Sequence, residues 1–132
     1  MRISLVTLVV PDYDVAIDFY VRCCGFELVE DSPSTTNDGR PKRWVVVAPP
    51  GGGAGLLLAQ AEGAAQASVI GQQAGGRVGF FLQVDDFGAQ HRHMVDSGVE
   101  FLEAPRHEVY GTVAVFVDLV GNRWDLLGPP SA

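Results

Sequence analysis

The segment Gly25-Phe26-Glu27-Leu28-Val29-Glu30 recurs 73 residues later as Gly98-Val99-Glu100-Phe101-Leu102-Glu103. Val45-Val46-Val47 and Gly53 recur 68 residues later as Val113-Ala114-Val115 and Gly121. Two matches in the same chain order read as an internal repeat, which restricts the fold to one built from the same unit used twice. With 132 residues in all, each copy is too small to bury an ordinary core alone. Any site therefore belongs to one shared core or to a subunit interface.

The punctuation along the chain describes the unit. Residues 3–10 form an apolar, β-branched run, and Pro11-Asp12 ends it while offering an N-cap. Ala16, Phe19 or Tyr20, and Cys23 then recur at helical spacing, and Gly25 supplies the stop. Residues 25–30, 44–48 and 55–60 read as strands, separated by turns at Asn37-Asp38-Gly39 and at residues 49–53. In the second copy, residues 78–84 are the strand, Asp85-Asp86 caps a helix to about Ser97, and Gly98 stops it. Residues 98–103, 112–118 and 123–127 follow as strands, with Val120-Gly121-Asn122 as a tight turn. The expectation is an α+β chain of two tandem β-α-β-β-β modules in a single domain over residues 1–132. Module one covers about 1–60 and module two about 77–128. The Ala-, Gly- and Gln-rich residues 61–76 form a linker with room for a short helix.

Composition removes several classes of function. Hydrophobic residues make up 47% and charged residues 19%, which suffices for a packed core. A net charge of −7, with 9 scattered Lys and Arg, disfavours a nucleic-acid partner. No run of about 18 apolar residues crosses a bilayer and no basic leader opens the sequence, so the expected location is cytoplasmic, with no membrane partner. Cys23 and Cys24 are neighbours in a predicted helix, where ordinary disulfide geometry does not join them. His91 and His93, two apart on a helix, point about 200° apart and do not chelate together. They and His107 are expected on a solvated surface. Neither a nucleophile elbow, a phosphate loop nor a Cys-x-x-Cys pair is present.

Val10-Pro11-Asp12, Ala16-Ile17-Asp18-Phe19-Tyr20, Gly25-Phe26-Glu27-Leu28-Val29 and the closing run from Val117 to Leu126 together make the chain resemble the vicinal oxygen chelate superfamily. That superfamily includes the glyoxalases, extradiol dioxygenases, and bleomycin- and fosfomycin-resistance proteins. The resemblance implies that the modules form a curved mixed sheet with a cup-shaped cavity. It does not identify the activity, since the scaffold hosts isomerisation, ring cleavage, thiol transfer and drug capture.

Metal-dependent members place one His, Gln, Glu or Asp on each of four strands, because a divalent cation needs convergent donors. The corresponding positions here are Leu5, Leu57, Gly79 and Asp125. Only Asp125 carries a donor, so no metal residue and no cofactor are expected. By two-residue alternation, Thr7 shares a face with Leu5, and Phe81 and Gln83 share one with Gly79. Thr7, Trp44, Leu57, Phe81, Tyr110, Phe116 and Arg123 are the expected ligand contacts, and Trp124 is expected in the core. Asp125 is expected either to pair with Arg123 or to have a raised pKa. The leading expectation is a metal-independent small-molecule binding protein, a homodimer like the drug-sequestering branch. The alternative is a glyoxalase- or dioxygenase-like lyase or isomerase, with Asp125 as base or metal ligand and Gln83 polarising a carbonyl.

Overall fold

Asp12 accepts a hydrogen bond from the Val15 amide at 2.9 Å and so starts the first helix where the Pro-Asp signal predicts. The computed structural model describes residues 1–130; the last two residues of the expected domain lie outside that range. The described chain divides into two compact units, residues 1–70 and 71–130, each with its own sheet.

The first unit runs β1 (Leu5–Val10), α1 (Tyr13–Asp18), a wider-wound π-helical turn (Phe19–Cys23), β2 (Glu27–Thr35), β3 (Pro41–Ala48), β4 (Gly55–Gln60) and α2 (Gly63–Ser68). The Cys24 amide reaches back five residues to the Phe19 carbonyl at 3.1 Å, which is the π-helical bond. Gly25 then takes φ +82°, the left-handed turn that a side chain resists. The sheet order is β1-β4-β3-β2, with β1 and β4 parallel and the other pairs antiparallel. Leu8, Val10, Val45, Val47, Leu56 and Leu58 are buried on one face, together with Ala16 and Tyr20 of the helical segment. Leu5, Thr7, Val46 and Leu57 alternate to the other face, where Leu5 and Val46 both approach Gly55.

The second unit runs β5 (Val78–Gln83), α3 (Phe87–Asp96), β6 (Glu100–Phe101), β7 (Arg106–Glu108), β8 (Gly111–Val117) and β9 (Arg123–Gly128). Asp86 caps α3 by accepting from the Ala89 amide at 3.0 Å. The sheet order is β5-β9-β8-β6, and β7 also pairs with β8. As in the first unit, the first and last strands are parallel neighbours. The α+β class is present, and the β-α-β-β-β order with it, the second unit carrying β7 as an extra short strand; each copy forms its own mixed sheet.

Three strands differ in extent from their sequence patterns. β2 and β3 continue to Thr35 and from Pro41 because Arg43 reaches across the hairpin to Asp31 at 2.7 Å and to Asp14 at 2.9 Å, while stacking on the Tyr13 ring. β6 keeps only two paired residues, and β7 takes over the pairing with β8.

The β8–β9 turn is held by one buried carboxylate. Asp118 accepts from the Val120 and Asn122 amides at 3.1 and 2.9 Å and from Asn122 Nδ2 at 2.9 Å. Replacing Asp118 by Ala strands these donors, so we expect a loss of about 2–4 kcal/mol in urea unfolding. Asp118→Asn should lose less, and a loss in Asp118→Ala below about 0.5 kcal/mol shows that the turn does not need this anchor.

Candidate functional site

The parallel register of each module decides which residues share a face. Thr7 lies opposite Leu57 in the first sheet, and Phe81 lies opposite Asp125 in the second. In the second module, Trp124, Leu126 and Gly128 face α3: Gly128 comes so close to Phe87 that an added Cβ would sit 2.6 Å from its Cβ. Arg123, Asp125 and Leu127 alternate to the helix-free face, with Phe81 and Gln83 beside them on β5 and Val113, Val115 and Val117 on β8.

On that face Asp125 is the chemically distinctive group. Its Oδ1 is buried and has no hydrogen-bond partner. Burial pushes its carboxyl above the ordinary carboxylate range, the Arg106 charge opposes the rise, and the Glu103 charge adds to it. No ion pair joins it to Arg123. Phe81, its cross-strand neighbour, is 64% exposed. A carboxyl whose ionisation is penalised by burial, beside an exposed ring, can take a hydrogen bond from a polar ligand group while the ring stacks on its planar part.

The expected residues fall into three groups. Asp125, Phe81, Gln83 and Arg123 come together on the helix-free face of the second sheet. Thr7, Leu57 and half-exposed Trp44 stand on the equivalent face of the first. Phe116 does not join either face. It is fully buried, cross-strand from Trp124 with ring centroids 5.7 Å apart, so the parity that puts Trp124 in the core puts Phe116 there as well. Tyr110 is exposed at the β7–β8 turn, outside the strands of either face.

Sequence reasoning missed Arg106. β7 pairs Arg106 with Val113, which turns its side chain to the face of Asp125. There it binds Glu103 at 2.5 Å and Glu108 at 2.8 Å, and these partners hold the guanidinium charge firmly. The alternation Arg106-His107-Glu108 was the available signal, hidden because this segment reads as a loop. His91 also departs from a solvated setting: it is half-buried, against Phe87 and Phe101.

The four positions that the resemblance assigns to metal ligands do not suit a cation in this chain. Leu5, Leu57 and Gly79 have no donor atoms, and among the described residues no three His, Cys, Asp or Glu side chains converge.

Residues 2–126 match the model of the Glyoxalase/Bleomycin resistance protein/Dioxygenase superfamily. An uncharacterized protein of Shewanella frigidimarina is 53% identical over 92% of this chain and 89% of its own length. Among solved structures, UcmS2 is similar with TM-score 0.78 and 29% identity, covering 96% of this chain and 97% of that one. TnmS3, an antibiotic binding protein from Streptomyces sp. CB03234, has TM-score 0.74 and 29% identity, covering 98% of this chain and 96% of its own.

The raised Asp125 pKa carries a sign. Ionisation is disfavoured in the folded state, so the contribution of Asp125 to native stability is greatest below the unfolded value of 3.8 and declines as pH rises to the higher folded value. Above that window a constant penalty remains. Asp125→Asn should therefore be more stable than wild type at pH 7, and the difference should shrink as pH falls toward 3.8. Melting temperatures across that range test this; parallel curves for the two proteins would contradict the assignment.

Proposed function

We propose, from the premise that this chain belongs to the Glyoxalase/Bleomycin resistance protein/Dioxygenase superfamily, that it is a metal-independent small-molecule binding protein. The observation that carries this reading is the pairing of exposed Phe81 with the unpartnered buried oxygen of Asp125 on one sheet face. Similarity to an antibiotic binding protein supports capture as the activity. The missing donors at Leu5, Leu57 and Gly79 support a site that works without a cation. In this reading Phe81 stacks on a planar ligand, Gln83 and Asp125 supply hydrogen bonds, and Arg123 borders the site. Thr7, Leu57 and Trp44 supply contacts on the equivalent face of the first module. The protein acts in the cytoplasm as a homodimer, and sedimentation at micromolar concentration tests the dimer.

A second reading is favoured by the same carboxyl. A buried acid with raised proton affinity is suited to general-base work, and a lyase or isomerase would use Asp125 in that role with Gln83 polarising a carbonyl. Elemental analysis separates the two readings from a metalloenzyme: stoichiometric Zn, Ni, Mn or Fe in purified protein would overturn metal independence.

The binding reading is tested by thermal shift and calorimetry with cationic, planar and peptide-like compounds. A ligand at 100 times its Kd should stabilise the fold by about 2.7 kcal/mol. Phe81→Ala should weaken such binding by about tenfold through lost stacking, and Gln83→Ala by about fivefold through one lost hydrogen bond. Unchanged affinity in both variants, or conversion of the ligand to a product during prolonged incubation, would defeat simple capture on this face.

A further inference from the structure

We propose that the groove between α3 and β7 of the second module is a separate small-molecule site that takes a planar aromatic carboxylate. The groove encloses about 490 Å³, within the range of roughly 300–1,000 Å³ typical of small-molecule sites. It lies on the α3 side of the sheet, because His107 pairs with Thr112, and Thr112 alternates with Ala114 and Phe116 on the core side. The site proposed above uses the opposite face, so the two stand or fall independently.

The walls suit a flat, apolar body. Phe87, His91 and Val95 are spaced four residues apart along α3 and form one stripe. The His91 ring lies nearly parallel to Phe87, at 14° with centroids 5.5 Å apart, and tilts against Phe101 at 4.4 Å. Rings held by each other in this way present a fixed surface, so an aromatic ligand meets a wall that needs little ordering. Across the groove, His107 Nδ1 lies 3.2 Å from the Oγ1 of buried Thr112, which orients the imidazole and leaves Nε2 for a ligand.

The charges select the ligand's polar end. The ion pairs of the described residues engage Arg22, Arg40, Arg43 and Arg106 and leave Arg92 out, although Arg92 lines the groove. A guanidinium and an imidazole nitrogen lining one groove match a carboxylate. Asp96, one turn beyond Arg92, is the opposing charge on the same rim.

Gly88 is the second, independent pointer. It has no positive φ, and a Cβ added there would meet nothing nearer than Asp86 Oδ1 at 3.8 Å. Neither backbone nor packing requires glycine in this helix, where glycine is unfavourable. What the missing side chain provides is room in the groove.

The test is an amide chemical-shift titration of the full chain with 2-naphthoate and with its neutral analogue 2-naphthamide. Saturable shifts are expected at Gly88, Arg92 and His107 with naphthoate. Arg92→Gln should weaken naphthoate by about fivefold and leave naphthamide unchanged, and Asp96→Asn should tighten naphthoate. Gly88→Leu should abolish the shifts with an unchanged or higher melting temperature. No saturable shift, shifts confined to Phe81 and Asp125, or undiminished binding in folded Gly88→Leu would each overturn the proposal. If Gly88→Leu does not fold, equal effects of Arg92→Gln on the charged and neutral probes overturn it.

Discussion

Parallel strands cannot be joined by a tight turn, so pairing β1 with β4 and β5 with β9 makes the chain leave each sheet and return across one of its faces. The helical segments occupy that face, and the burial pattern follows from it: Leu8 and Val10 in the first module, Leu82 and Leu126 in the second, are covered from one side. The opposite face is thereby left to residues that need not pack against a helix. The register then brings Thr7 beside Leu57 and Phe81 beside Asp125, two equivalent pairs in two copies of one unit. A slip of one residue in either pairing would exchange the faces and bury these groups beneath a helix.

What the two copies share in backbone they do not share in chemistry. Leu57 and Asp125 occupy matching positions, one apolar and one acidic, and the second module surrounds its acid with Val115, Phe81 and the Arg106–Glu103 pair. Apolar neighbours withhold water from the carboxyl, and desolvation is the largest influence on it. Arg106 is nearby but already engaged with Glu103 and Glu108, so its opposing influence is smaller than that of burial. The outcome is a carboxyl whose charged form is penalised by burial, on a face that also exposes a phenyl ring.

Much of this was readable in advance because alternation and capping are local. The Asp12 and Asp86 caps, the glycine stops at Gly25 and Gly98, and the face shared by Phe81 and Gln83 all follow from neighbours in sequence. Phe116 shows where local reasoning ends: its own strand pattern leaves two faces open, and only its pairing with Trp124 decides between them. The length of the β2–β3 hairpin was hidden similarly, since Pro33, Ser34 and Thr35 carry no apolar period and the strand is sustained by the Arg43 contacts. Arg106 escaped notice because β7 has only three residues, too few for a periodic signal.

The sequence by itself determined the repeated unit and its order of elements, because these depend on residue type and spacing alone. The tertiary structure decided which groups meet. It placed Arg106 on the face of Asp125, left one Asp125 oxygen without a partner, and drew Phe116 into the core. It also lined a groove with His91 and His107, which lie 16 residues apart in the chain. Each of these rests on contact between strands or between helix and strand, and such contacts are set by register and burial across the whole module.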